Sequence, residues 1–306
     1  MKLLLRWCAS YGENAPMNLS SSPPVIALRR VVDNFRTEWN YAQLTPSYSA
    51  SGAAISGPPS ELIPWFCGPI RLGYVSAARA RLLAAHLAPT RLQAHRLDWD
   101  AFQWTHAARS AALQGALVNL HALGHIPGWR GEQFSFFPVD SATPLLAAER
   151  AGFYFLGMRS DAVHVNGFSA DGGMWVARRS ANKAVDPGFL DNLCAGGVVA
   201  GESLQSCLVR ELDEEAGIQL EAEHQLSFAG TVEVARARDG GWHVERLYVF
   251  NLLLQAQEQP HNRDGEVQEF RLLSAADVQE LIATRTFTPD AAAAIARGLD
   301  VPSARA

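Results

Sequence analysis

The sequence predicts an α/β (α+β) protein built from two unlike units, a helix-and-strand mixture followed by a strand-rich domain. The chain has 306 residues, 48% hydrophobic and 19% charged, so it can bury a sizeable core and has room for two domains. In the first half, short strand-like runs sit among Ala-rich helical stretches. From about residue 151 the pattern changes to long strand-like runs joined by Gly-rich turns, with helical stretches between and after them.

Leu28 to Trp39 has apolar residues at helical spacing, and the small-residue and Pro stretch 45–60 reads as a loop. Glu61 to Cys67 reads as a strand, and Ser76 is placed to cap a helix running to about Leu87. Asp100 to Leu123 is long, Ala-rich and helical by propensity, Glu132 to Val139 is a strand, and 144–151 is a short helical piece. Val163 to Phe168 and Met174 to Arg178 flank Asp171-Gly172-Gly173, a hairpin signal. Phe189 to Cys194 is extended and runs into Gly196-Gly197, and 203–216 is a helix. Strands at about 225–236 and 243–254 are joined by Asp239-Gly240-Gly241. A strand at 266–273 and helices near 274–285 and 289–298 follow. With a boundary near 145–157, the expected organisation is a disordered leader over 1–24, an α+β unit over 25–150 and a second domain over 151–300.

The net charge of −5 and the absence of any Lys/Arg run argue against a nucleic-acid polymer as partner. No run reaches the roughly 18 apolar residues of a membrane-spanning helix, so no membrane partner is expected. The apolar stretch within Met1 to Cys8, about five residues, is shorter than a signal-peptide core of roughly 7–15 residues, and Met17 is an alternative start. Cys8, Cys67, Cys194 and Cys207 form no C-x-x-C pair. They read as buried thiols in a cytoplasmic protein rather than a zinc site or disulfide framework. A homodimer is compatible with all of this.

The chemistry concentrates in residues 196–218, GGVVAGESLQSCLVRELDEEAGI. On a helix Glu211, Glu214 and Glu215 fall within about a 100° arc. Glu211 and Glu215, four apart, repel by a few tenths of a kcal/mol, a cost that makes sense where a cation sits. Leu204, Leu208 and Leu212 form an apolar stripe that can bury while the acidic edge faces a cleft. Taken alone, the glutamates could equally be a solvated helix face. Hard oxygen ligands suit Mg2+ or Mn2+. Upstream, Arg178, Arg179 and Lys183 are candidates for binding a phosphate, or ordinary charges at a strand end. Alternation along the strand lets only one of Arg178 and Arg179 face the cleft. Trp129 and Trp175 are candidate stacking rings, more often simply core. His164 and the other histidines show no ligand spacing.

Gly196, Glu202, Arg210-Glu211, Glu214-Glu215 and Gly217, in this order and spacing, resemble the signature box of the Nudix hydrolases. The resemblance implies an α/β/α sandwich with a mixed sheet, preceded by a smaller α+β domain. It also implies Mg2+- or Mn2+-dependent cleavage of a diphosphate linkage in a small molecule. On that reading Glu211, Glu214 and Glu215 hold metal, Arg210, Glu211 and Glu214 are catalytic, and Gly196, Gly197, Glu202 and Gly217 support the loop and helix. Arg178, Arg179, Lys183 and Glu266 bind substrate. Glu266 is preferred over Glu269 as the additional carboxylate because it follows the Asp264-Gly265 turn.

Flanking stretches match further. They are Trp175 to Ser180, Lys183, Pro187-Gly188, Leu190-Asp191-Asn192, Asp264 to Val267 and Phe287-Thr288-Pro289, with Trp129 to Glu132, Glu149-Arg150 and His164 to Gly167 before the box. Together they resemble the thiamine-pyrophosphokinase-associated Nudix subfamily, which carries an extra N-terminal domain. This implies thiamine diphosphate, or its oxy- and oxo-analogues, as substrate and the monophosphate as product. The alternatives are a nucleoside diphosphate derivative such as an ADP-sugar, or a non-catalytic Nudix domain that binds a ligand.

Overall fold

The computed structural model describes residues 25–37, 58–221, 224–238 and 241–299. The expected leader, Met17, Cys8, most of the 45–60 loop and the tip of the Asp239-Gly240-Gly241 turn lie outside them.

The first element is α1 (Val25–Thr37). The unit that follows holds β1 (Ile63–Cys67) and β2 (Ile70–Val75), an antiparallel pair, with β1 also parallel to β4 (Arg96–Trp99) and β4 antiparallel to β3 (Thr90–Gln93). Its helices are α2 (Ala77–His86) and α3 (His106–Ala122). Ser76 caps α2 as expected, accepting the Arg79 N–H at 3.3 Å. Trp65, Trp99, Leu83, Leu117, Leu120 and Phe153 are fully buried in a core that extends to Met158.

Three differences from the sequence expectation arise here. The short strands β2, β3 and β4 were not anticipated. The long helix begins only at His106, capped by Thr105. Ahead of it, buried Arg109 turns back to the carbonyls of Phe102 and Leu145, each at 2.8 Å, and fixes 101–104 as a non-helical turn. The expected helix over 144–151 is largely a strand, β6 (Leu146–Glu149), antiparallel to β5 (Gln133–Phe136), before α4 (Arg150–Phe155). All four residues of β6 are buried. Pairing with β5 overrides the helical preference of its alanines, which is worth only tenths of a kcal/mol per residue.

The second unit is a mixed sheet between helices. Its central strand β7 (Ser160–Phe168) runs parallel to β12 (Gly241–Leu253) and antiparallel to β10 (Cys194–Gly197) and β8 (Met174–Arg179). β8 pairs in turn with β9 (Leu190–Asp191) and β13 (Val267–Leu273), and β11 (Gln225–Arg238) pairs with β12. On one face α5 (Leu204–Ala216) buries Cys207, Leu208, Leu212 and Ala216 against Val163, Val165, Phe250 and Leu252. On the other face α7 (Pro289–Gly298) sets Ala293 and Ala294 against Ala162, Leu247 and Val249. α6 (Ala275–Ala283) and α7 share a second cluster with Phe168 and Met174. This is the expected α/β/α sandwich. α1, expected within the N-terminal unit, packs here instead: Leu28, Val31 and Phe35 are buried with Phe168, Ile282 and Ile295.

The two units join along one sheet, because β2 meets β12 at Val75 and Gly241. Gly73 belongs to this joint, since a Cβ on it would lie 2.4 Å from the Gly157 carbonyl oxygen. The Trp65 indole donates to the Leu156 carbonyl at 2.8 Å. No described helix is long and apolar enough to cross a membrane.

Leu212 is fully buried beneath α5. Leu212→Ala is expected to lower unfolding free energy by about 2–5 kcal/mol, seen as a shift of the denaturant midpoint. A change below about 0.5 kcal/mol, the size typical of surface substitutions, would show that α5 is not anchored through this stripe.

Candidate active site

Local sequence fixes the acidic helix at both ends. Ser203 accepts the Ser206 N–H at 3.1 Å, and Gly217 closes the helix at φ 65°, a left-handed conformation that glycine adopts without strain. With Leu208 and Leu212 buried, Arg210, Glu211 and Glu214 turn to a cavity of about 190 Å3 beside β10. Arg210 ties this region together. Its guanidinium grips Glu202 through two contacts at 2.9 and 3.0 Å and reaches Glu211 at 2.5 Å, Glu214 at 3.2 Å and the Gly197 carbonyl at 3.3 Å. Glu202 also accepts the Val199 N–H at 3.2 Å. Through these contacts Arg210, expected as catalytic, cross-links the Gly-rich turn to the helix.

Glu211 is buried against Gly196, where a Cβ would stand 1.7 Å from a Glu211 carboxylate oxygen. No side chain but hydrogen fits there. Burial pushes the Glu211 carboxyl up from 4.5 to about 7, and the Glu215 charge adds to this against the opposing pull of Arg210. Burial also raises Glu215, which accepts the Ala195 N–H at 2.9 Å and faces the Lys183 ammonium at 3.2 Å. Lys183 pairs in addition with Glu266. Oxygens of Glu215, Asp264 and Glu266 lie within 4.8 Å of one another. An all-oxygen set of this kind has the chemistry of a Mg2+ or Mn2+ site.

The expected site residues divide. Lys183, Glu266 and Arg179 line the cavity with Glu211 and Glu214. Arg178 does not. Its Nε donates to Glu269, its register partner on β13, at 2.9 Å and its Nη1 to the Gly188 carbonyl at 2.8 Å, because strand alternation puts it on the face opposite Arg179. The same pairing takes Glu269 out of contention and leaves Glu266 in the cavity. Arg179 is engaged in holding a loop, donating to Asp191 at 2.7 Å and to the Val185 carbonyl at 2.9 Å. Neither candidate tryptophan lines the cavity. Trp129 stacks on His121 at 4.6 Å, and Trp175 packs in the cluster beneath α5. Gly197 makes room for Phe134, whose Cζ would lie 2.4 Å from a Cβ there.

Other cavity residues were missed. Asp264 stood in a flanking motif and a turn but was not named as a site residue. His164 is buried, with Nδ1 2.7 Å from Asn192 Oδ1. Arg236 and Asp290 meet as an ion pair at the far side of the cavity, brought together from β11 and α7. Arg130, Arg150 and Tyr154 reach the cavity from the first unit. Arg130 and Arg150 stand in motifs visible in the sequence, whereas nothing in the local sequence marks Asp290 or Arg236.

Residues 158–296 match the family model described as the NUDIX domain. Nudix hydrolase 24, chloroplastic, of Arabidopsis thaliana is 33% identical over 185 residues, 60% of this chain and 51% of the plant protein. Nudix hydrolase 20, chloroplastic, of the same plant is 32% identical over 182 residues, 58% of this chain and 49% of that one. The chain thus spans about half the length of the curated relatives it matches. The crystal structure of DR0079 from Deinococcus radiodurans aligns with 51% of this chain and 100% of that protein, at 18% identity and a TM-score of 0.38.

Because the folded protein holds Glu211 protonated up to about pH 7 while an unfolded glutamate ionises near 4.5, the native state binds the extra proton in that window. The associated stability is complete below pH 4.5 and lost as pH rises through 7. In chelator, Glu211→Gln is therefore expected to be more stable than the parent above pH 7, by roughly 1–3 kcal/mol, with little difference near pH 4.5. Denaturant titrations at the two pH values check this. Equal stability of the two proteins at high pH would contradict it.

Proposed function

We propose that this chain, whose residues 158–296 are a Nudix domain, hydrolyses a diphosphate linkage in a small molecule with the help of Mg2+ or Mn2+. The observation that carries the reading is the convergence of Glu211, Glu214, Glu215, Asp264 and Glu266, from α5 and the turn before β13, on one region that basic side chains also border. These five carboxylates would hold the ion, Glu215, Asp264 and Glu266 forming its tightest set. When bound, the ion would neutralise diphosphate charge and acidify a water molecule. A Glu211 oxygen that the ion leaves free would be placed to take the attacking water's proton. Arg210 keeps Glu211 and Glu214 in place. Lys183 exchanges its two carboxylate partners for a substrate phosphate. The alternative of a non-catalytic ligand-binding domain is disfavoured because every glutamate of the box is present.

Within this class we favour thiamine diphosphate or its oxidised analogues, cleaved by water to the monophosphate and orthophosphate. The support is the set of motifs flanking the box, including Trp129 to Glu132, Glu149-Arg150 and Asp264 to Val267. An ADP-sugar is the second reading. Cytoplasmic residence is part of the proposal, since Cys67, Cys194 and Cys207 are free and buried; the two plant relatives are named as chloroplastic.

Hydrolysis is expected to require Mg2+ or Mn2+ and to stop with a chelator, and Glu211→Gln and Glu215→Gln are each expected to reduce turnover by on the order of 100-fold or more. Near-normal turnover in both folded variants, or full activity after exhaustive metal removal, would refute the metal mechanism.

The substrate is tested by phosphate release with Mg2+ across thiamine diphosphates, ADP-sugars, dinucleoside polyphosphates and coenzyme A. The highest kcat/KM is expected for a thiamine diphosphate form, and Lys183→Ala is expected to raise its KM more than it lowers kcat. ADP-ribose turned over far faster than every thiamine diphosphate form would overturn the substrate but leave the hydrolase class standing.

A further inference from the structure

We infer that the polypeptide before the Nudix domain forms one wall of the catalytic cavity, and that Arg130 and Arg150 on it bind the non-bridging phosphate oxygens of the substrate. This rests on reading the cavity as a diphosphate site and assigns the first unit a part in it.

The wall is attached to the site by backbone. Phe134 of β5 bridges Val199, and the Ala200 N–H donates to the Gln133 carbonyl at 2.7 Å, so β5 is bonded to the turn that feeds the acidic helix. The Phe134 ring fills the space that the missing side chain of Gly197 leaves. A module that merely accompanied the Nudix domain would have no need to pack into its signature loop.

This attachment aims two guanidinium groups at the carboxylates. Glu149, only 1% exposed, accepts the Arg130 backbone N–H at 3.1 Å and so fixes the 129–131 turn. From there Arg130 Nη1 reaches Glu266 at 3.4 Å. Arg150, held by Glu132 at 3.0 Å and lying over the Phe134 ring, lines the same cavity.

Engagement sets Arg130 apart from the other arginines of the cavity, while Arg150 stands beside it on the same wall. Arg210 is bound to Glu202, Glu211 and Glu214. Arg179 is bound to Asp191 and loop carbonyls, and Arg236 to Asp186 and Asp290. Arg130 is the least committed. Its side chain is 42% exposed, and among the described residues its guanidinium has one ion pair, the 3.4 Å contact with Glu266. A planar guanidinium with donors to spare binds phosphate oxygens in bidentate fashion, which an ammonium cannot do.

The test uses the full chain with Mg2+ and inorganic pyrophosphate as probe, with calorimetry for binding, Mn2+ titration for the metal and thermal melting for the fold. Arg130→Ala is expected to keep its melting temperature and Mn2+ affinity and to weaken pyrophosphate binding by about tenfold or more, with Arg130→Lys recovering only part. Arg150→Lys, which keeps charge and most of the packing, is expected to weaken binding in the same direction. Pyrophosphate affinities within about twofold of the parent in both folded Arg130→Ala and Arg150→Lys would overturn the inference while leaving the hydrolase reading intact. Weakened binding in the variants of a parent that hydrolyses no diphosphate would support the inference and sink the hydrolase reading. A parent that does not bind pyrophosphate at all would overturn the inference, while the hydrolase reading stands or falls on turnover.

Discussion

Carboxylates crowded out of water dictate the design of this protein. Glu211 and Glu215 are both buried, Glu211 close enough to Glu214 and Glu215 to feel their charge and Glu215 beside Asp264 and Glu266. Burying even one unpaired charge is costly, and like charges side by side add to the cost. The structure meets this with fixed cations and backbone donors. Arg210 links three of the box carboxylates, Lys183 stands between Glu215 and Glu266, and the Ala195 N–H serves Glu215. The compensation remains partial, as the raised Glu211 and Glu215 carboxyls show. A divalent ion among these carboxylates would supply the positive charge that the fixed cations leave lacking.

The same constraint explains the glycines. A carboxylate can sit beside β10 only if the strand offers no side chain at Gly196, and the first unit can close over the turn only if Gly197 yields its space to Phe134. The two residues look like one Gly-rich turn. Their roles differ: one admits the acidic side chain and the other admits a neighbouring unit.

That second role changes the view of the chain's organisation. Residues 63–158 have their own core around Trp65, Trp99 and Phe153. They nevertheless share a sheet with the α/β/α sandwich through Val75 and Gly241 and hydrogen-bond to the turn before α5. α1 lies earlier still in sequence and packs on the opposite side, against Phe168 and Ile295. The cavity is therefore assembled from both units.

Periodicity and short-range spacing were sufficient for the elements that carry their own signals. Ser76 before its helix, the Asp171 to Gly173 hairpin, and the Ser203 to Gly217 helix with its acidic edge are all local patterns, set by caps, turns and the 3.6-residue repeat. The acidic edge was equally legible, since it depends on neighbours three and four residues away, whereas Gly196 entered only through the family resemblance and its contact with Glu211 lies fifteen residues off. What the sequence could not decide depends on partners far along the chain. Leu146–Glu149 is a strand only because β5 is there to pair with it. Arg178 leaves the cavity because Glu269 faces it across the sheet, and Asp264 joins Glu215 because the turn before β13 folds over α5. Arg236 and Asp290 meet across 54 residues, and Arg130 reaches Glu266 across 136. Side-chain propensities act over a few residues and are worth tenths of a kcal/mol. Packing, strand pairing and the pairing of buried charges act across the whole chain with several times that energy, and they alone set which of the candidate residues meet.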